Sequence, residues 1–313
     1  MTADSSVFLP STRKEGLQRL EDFLDNGARR YADRRNHVFP GHENVSRLST
    51  ATRTRLLLET EICEAARARF SPQAIEKFEQ EVWWRLYWKG WLERRPEVWS
   101  RFRADLEDIQ WFKRAETVAN GESGVAIMDY FARELVETGY MHNHARMWWA
   151  SYWIHVERLP WQLGADFFHR YLFDGDAASN TLSWRWVAGL QTPGKSYLVR
   201  RSNLERYVDA GILSSYTAGL EKLEDPYAVE IEFEDPPIPR EMEEADPLPP
   251  SGAPFAIWVH DEDLVLENSS LSRLAPQALL APIPRTIWEE QFFSEAKQEF
   301  LSTAIADGVA RAV

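Results

Sequence analysis

Two stretches of the chain gather the side-chain types that hold a planar heterocycle. The first runs Gly139-Tyr140-Met141-His142-Asn143-His144-Ala145-Arg146-Met147 and puts Asn143, Arg146 and Met147 on one helix face. The second, Leu172 to Trp186, carries Asp174, Asp176 and Asn180 through a turn-to-helix passage and ends on Trp184 and Trp186. Carboxylates, a carboxamide and a guanidinium can each hydrogen-bond the edge of a ring. Upstream, Glu81, Trp84, Arg85 and Trp88 fall at i, i+3, i+4 and i+7. That face reads as a stacked polar pocket, or as a Glu–Arg pair beside core tryptophans. Further upstream, Asn44-Val45-Ser46-Arg47-Leu48-Ser49 opens a helix with hydroxyls and an arginine, which suits a phosphate or a plain N-cap.

Tryptophan is abundant, with 14 residues in 313. A Trp-rich core accounts for Trp91, Trp99, Trp148 and Trp149, while others can stack a planar ligand or pass electrons. The run His142-Asn143-His144 with His155 and His169 spells no metal site of recognisable spacing, and the single Cys63 excludes cysteine-based zinc or iron–sulfur binding. No metal is expected.

The elements that must position these residues are helical. Apolar residues recur near a 3.6 period over 15–33, 52–69, 72–93, 125–138 and 143–158, with Gly and Pro at the joints, Pro193-Gly194 among them. No GxGxxG follows a strand, and neither GxxxxGK[ST] nor GxSxG occurs, so a Rossmann nucleotide site, a P-loop or a hydrolase nucleophile elbow is not expected. Net charge is −13, yet residues 1–210 hold 30 Lys+Arg against 29 Asp+Glu while 211–313 hold 6 against 20. The acidity belongs to the tail, and the first two thirds can carry a local basic groove. The reading is a mainly α domain over 1–221, an acidic Pro-rich linker over 222–253, and a small C-terminal α/β extension over 254–313. FAIWV at 255–259 is its strand, and 287–311 carries its helical pattern. No run of apolar residues long enough for a membrane span occurs, and no signal pattern opens the chain, so a cytoplasmic protein is expected.

The pattern GxMHNxxRM followed by DGDxxxNxxxWxW resembles the flavin-domain signature of the photolyase/cryptochrome family, in its cyclobutane-pyrimidine-dimer branch. The SRLS and ExxWR stretches lie upstream in family order, and the resemblance covers residues 15–210. It implies a helical FAD-binding domain and light-driven repair of cyclobutane pyrimidine dimers, a carbon–carbon lyase activity, with a cryptochrome-like photoreceptor as the alternative. It implies FAD held by Tyr31, Ser46, Arg47, Leu48 and Ser49 at the diphosphate and ribityl side. At the ring it places Arg85, Arg146, Asp174, Asp176 and Asn180, with an Arg146–Asp174 ion pair, Asp176 at N3–H and Asn180 at N5. It implies a lesion pocket of Glu81, Trp84, Asn143, Met147 and Trp186, and an electron relay of Trp184, Trp161 and Trp111. Arg35, His144, Lys89, Lys195, Arg200 and Arg201 are the expected DNA contacts. With a thin basic surface and no antenna domain or antenna chromophore expected, the partner implied is UV-damaged DNA in single-stranded form.

Overall fold

The computed structural model describes residues 7–192, 195–233, 235–242, 244, 247, 249–250, 252–268 and 274–312. Pro193-Gly194 and several positions of the expected 222–253 linker lie outside the described residues. Fifteen α-helices are seen among the described residues. They are α1 (Arg13–Asn26), α2 (Tyr31–Arg34), α3 (Ser49–Arg53), α4 (Glu59–Arg67), α5 (Pro72–Glu93), α6 (Pro96–Asp108), α7 (Lys113–Ala119) and α8 (Ala126–Thr138). There follow α9 (Asn143–Ser151), α10 (Trp161–Tyr171), α11 (Ala177–Val187), α12 (Arg201–Tyr207), α13 (Ala210–Ser215), α14 (Arg285–Glu290) and α15 (Glu295–Ala312). The strands β1 (Ala256–Trp258) and β2 (Ala278–Leu280) pair in parallel, Ala256 opposite Ala278 and Trp258 opposite Leu280. The fold is therefore mainly α with a small α/β element near its C-terminal end, as read from the sequence.

Local chemistry sets the helix limits. Thr12 and Glu15 form a capping box that starts α1, and Gly27 closes it, where a Cβ would lie 2.7 Å from the Phe23 ring. The helix expected over 15–33 therefore stops early and continues as a 3-10 turn over Ala28–Arg30 and the single turn of α2. The one expected over 52–69 divides at Arg55, whose φ is +54°, because the intervening turn buries Leu56 and Leu57 completely. Helix α8 ends on Gly139 at φ +70°, where a Cβ would lie 2.3 Å from the Phe173 ring.

The chain divides into two compact units. One takes in Asp33–Asn44 and Trp84–Arg240. Its core holds Trp148, Trp149, Trp153 and Trp184, none more than 2% exposed, with Phe131, Leu135, Met141 and Leu204. Val38 and Val208 form an isolated parallel bridge there, so the 33–44 segment is tied in by backbone hydrogen bonds to Tyr207 and Asp209. The other comprises Phe8–Ala32, Val45–Trp83 and Glu241–Val313. In it Arg53 donates to the Asp261 carbonyl (2.9 Å) and pairs with its carboxylate (2.6 Å), Leu264 N donates to the Thr54 carbonyl (3.1 Å), and Arg13 and Arg311 both pair with Glu267. Residues 241–313 share their unit with the first helices.

Candidate functional site

In the Trp84–Arg240 unit, side chains of α5 and α9 converge on the polar groups at the start of α11. Asp176 is the N-cap of α11: its Oδ1 accepts from Ala178 N (2.9 Å) and Ser179 N (2.8 Å). Its Oδ2 pairs with the Arg85 guanidinium from α5, which also donates to the Asp174 carbonyl at 3.0 Å. Arg85 therefore reaches across to the α11 end, a partner that its spacing from Glu81 did not announce. Burial alone would raise the Asp176 carboxyl, but the charges of Arg85 and Lys89 and the hydrogen bonds from Ser179 outweigh it and hold it below the usual carboxylate range.

Arg146, on α9, donates from Nη2 to Asp174 Oδ2 at 3.1 Å and from Nε to the Met141 carbonyl at 2.8 Å. Two of its nitrogens are held, its side chain stays 20% exposed, and Nη1 is the nitrogen left over. Asn180, one turn along α11 from Asp176, donates from Nδ2 to the Ala165 carbonyl of α10 at 2.7 Å. That bond orients the carboxamide and turns Oδ1 away from α10 as an acceptor. The Ala165 carbonyl is a positioning group that sequence reading missed, since a backbone acceptor leaves no residue signature.

The residues expected at a lesion pocket are spread over the same unit and α5. Asn143 is exposed at the first position of α9, Met147 is half-buried one turn on, and Glu81 is half-buried on α5. Trp84 is 48% exposed and stacks on Trp88 (5.6 Å between centroids, 26°), with Tyr87 edge-on to it. Trp186 is half-buried against Tyr197 (5.7 Å, 31°). Of the expected relay, Trp184 and Trp161 are buried and Trp111 is half-buried, its indole N–H donating to Asp166 Oδ2 at 3.2 Å. Trp161 stacks on Phe102.

The expected DNA contacts separate into two groups. Lys195 and Arg200 are exposed, and Arg35 and Lys89 are half-buried. Arg201 is already paired with Glu205 and Glu224. His144 is a correction: it is 9% exposed, its ring lies 4.1 Å from that of Trp148, and its nitrogens meet the Asn36 carbonyl (2.8 Å) and the Tyr197 hydroxyl (3.2 Å). Burial lowers its pKa, so it is a neutral core group with neither the charge nor the exposure for a phosphate.

In the other unit, Tyr31 packs edge-on to Phe23 (5.8 Å) and Phe78 (5.4 Å). Arg19 donates to the carbonyls of Ser46 (2.8 Å) and Val45 (2.9 Å), which fixes the turn into α3. Arg47 takes a left-handed φ of +54°, Leu48 is buried, and Ser49 opens α3 with no side chain capping it. The N-cap reading of this stretch therefore fails, and the first N–H groups of α3 carry no side-chain acceptor.

Among the described residues, no group of three or more His, Cys, Asp or Glu is placed to hold a metal ion, and no helix is long and apolar enough to cross a membrane.

A family profile described as the FAD binding domain of DNA photolyase matches residues 78–210, which contain the whole Arg85–Arg146–Asp174–Asp176–Asn180 set. Residues 78–210 are thus similar to the FAD-binding domain of photolyases. The deoxyribodipyrimidine photo-lyase of Neurospora crassa is 30% identical over 200 residues, 60% of this chain and 32% of that protein. The deoxyribodipyrimidine photo-lyase of Escherichia coli is 30% identical over 202 residues, 61% of this chain and 42% of that protein. A crystal structure of a bacterial class III photolyase from Agrobacterium tumefaciens superposes with a TM-score of 0.56 at 26% identity, covering 68% of this chain and 46% of that one. The match thus spans less than half the length of each of these relatives.

The donor set within residues 78–210 fits the isoalloxazine of a flavin. A carboxamide oxygen with its nitrogen tied, a guanidinium with one nitrogen left over, and carboxylates locked by arginines offer fixed complements to ring N–H and carbonyl groups.

Proposed function

We propose that this chain binds FAD and splits cyclobutane pyrimidine dimers in damaged DNA under blue or near-UV light, with a preference for single-stranded DNA. The observation that carries the reading is the arginine–carboxylate pairing at the α11 end with Asn180 oriented by Ala165, all within the matched segment. The curated relatives named deoxyribodipyrimidine photo-lyase support the reaction. When bound, FAD supplies light absorption and one-electron chemistry. Arg146, held by Asp174 and the Met141 carbonyl, keeps a positive charge at the ring and favours its anionic form in a partly desolvated place. Asn180 presents Oδ1 as a fixed acceptor at the ring edge, and Asp176 supplies the acceptor for N3–H while it anchors Arg85. Tyr31 and Ser46 to Ser49 take the diphosphate and ribityl side.

Trp84 and Trp186 stack the extruded dimer, Glu81 and Asn143 hydrogen-bond its pyrimidine edges, and Met147 lies beside it. Arg35, Lys89, Lys195 and Arg200 hold phosphates. With 30 basic against 29 acidic residues over 1–210, the phosphate grip is weak. Extrusion from a duplex costs a few kcal/mol and least from a single strand. The strand preference follows.

The test uses photoreduced protein and UV-irradiated oligothymidine, single-stranded or annealed, with base absorbance followed under blue light and in the dark. Light-dependent recovery, faster on the single strand, is expected. Equal rates on both substrates overturn the strand preference. A photoreducible flavin with no recovery overturns repair and leaves the photoreceptor reading.

A further inference from the structure

Four indoles run in ring contact through the Trp84–Arg240 unit. Trp184 on α11 meets Trp149 on α9 edge-on, with centroids 6.2 Å apart and planes at 82°. Trp149 stacks on Trp153 at 5.1 Å and 29°. Trp153 meets Trp111 at 6.1 Å and 67°. The α9 helix passes into a π-helical turn over Tyr152–Val156, and the pair Trp149 and Trp153 spans that junction. Trp149 and Trp153 have no exposed surface, Trp184 is 2% exposed, and only Trp111 reaches solvent. Trp161, the middle member of the relay implied by resemblance, stacks on Phe102 instead (5.5 Å, 25°).

The indole N–H groups differ along this line in a way that matters for charge transfer. Loss of an electron makes an indole N–H acidic, so a base beside it traps the positive hole by taking the proton. Trp184 and Trp149 have buried N–H groups with no acceptor. Trp153 donates to the Pro160 carbonyl at 2.8 Å, which is not a base. Trp111 alone donates to a carboxylate, Asp166. Burial pushes the Asp166 carboxyl up and makes it readier to take a proton, although Arg170 pairs with it and lies 5.2 Å over the Trp111 ring.

We propose that Trp149 and Trp153 carry electrons from Trp111 to Trp184 through direct ring contact, and that Asp166 accepts the Trp111 indole proton at the end of the line. The proposal rests on the flavin reading above. One electron leaves Trp184 for the photoexcited oxidised flavin, and Trp149, Trp153 and Trp111 each refill the indole before them. Trp111 then loses its N–H proton to Asp166 and becomes a neutral radical. A dissolved thiol returns a hydrogen atom to the Trp111 nitrogen, two thiyl radicals couple to a disulfide, and Asp166 releases its proton to water.

Trp161→Phe and the double variant Trp161→Phe/Trp153→Phe decide the route in flavin-loaded protein. The readout is the absorbance of the long-lived tryptophan radical after a blue flash, with near-UV circular dichroism as the control for folding. Trp161→Phe is expected to keep the radical, and adding Trp153→Phe to lower its yield at least about fivefold. Loss of the radical in Trp161→Phe alone, or a smaller drop in the double variant, overturns the contact route. A flavin-free arm separates this from failure of the cofactor reading. Azide radicals oxidise accessible indoles, and peptide mass spectrometry is expected to find oxidation at the fully buried Trp153, lost in Trp111→Phe. Buried indoles left unoxidised in the parent protein, or oxidised equally in Trp111→Phe, overturn the relay whether or not flavin binds.

Discussion

Asp176 performs two jobs that substitution can separate. Its Oδ1 caps α11 and its Oδ2 neutralises Arg85. Alanine removes both and leaves a guanidinium of 12% side-chain exposure without its main partner, a change that costs about 3–5 kcal/mol when a buried pair is broken from one side. Asparagine keeps an oxygen for the cap, worth about 1 kcal/mol, and loses only the charge. Urea unfolding is expected to rank the parent above Asp176→Asn and that above Asp176→Ala. Equal losses for the two variants would show that the cap contributes nothing. Flavin absorbance per protein is expected to fall in the same order, because Arg85 and the α11 end move together. The sequence made part of this legible. Asp174 and Arg146 were expected to pair and they do, at 3.1 Å. The partner of Arg85 was not legible, because helical spacing reports neighbours on one helix and Arg85 reaches another. His144 was expected among the DNA contacts, but Trp148 and Tyr197 close over it, a tertiary contact that the sequence does not display.

Helix α10 lies against α11 through a glycine. A Cβ at Gly164 would lie 2.2 Å from the Trp184 ring, so the close approach that seats Trp184 depends on this residue. Two effects of Gly164→Ala oppose each other. Alanine raises helix propensity by up to about 1 kcal/mol. Overpacking a buried contact costs about 1–3 kcal/mol, and here the neighbour is a rigid indole whose own surroundings are filled. Overpacking is expected to win, with a lower urea midpoint and a changed near-UV dichroism from Trp184. A stabilised variant would mean that the helices part without loss and that the glycine holds nothing. Helix positions were largely legible from periodicity. The 72–93 and 125–138 patterns match α5 and α8 closely, and 143–158 matches α9 with its π turn. The breaks were not. Arg55 and Phe292 end helices with φ of +54°, and neither residue type signals a left-handed turn. What forces the first break is the burial of Leu56 and Leu57, a tertiary demand that local sequence does not display.

Groups with shifted pKa values are not distributed evenly between the two units, and a two-stage response to acid is expected from this. His142, His144 and His155 all lie in the Trp84–Arg240 unit, and burial lowers the pKa of each, most strongly for the fully enclosed His142. A histidine whose folded pKa lies below its unfolded value binds a proton more readily when unfolded. Stability from these three is full above the unfolded value of about 6.5 and declines as pH falls below it. Carboxylates respond lower down. Asp176 in that unit, and Glu61 and Asp261 in the other, are held below their ordinary values against the opposing effect of burial by Arg85, Arg13 and Arg53 respectively. Their contribution is present above the unfolded carboxylate values near 4 and is lost as pH falls through the folded ones. Acidification from pH about 7.5 to 5 is therefore expected to weaken the unit that buries these three histidines first, and a further fall below about 4 to weaken both. Segment-resolved hydrogen exchange across this range, corrected for the intrinsic pH dependence of exchange, makes the distinction. Protection in α9, α10 and α11 is expected to drop at mildly acid pH while that in α1, α4 and α15 persists. Protection lost from both sets together in the upper range would place the acid-sensitive groups elsewhere than at the three buried imidazoles.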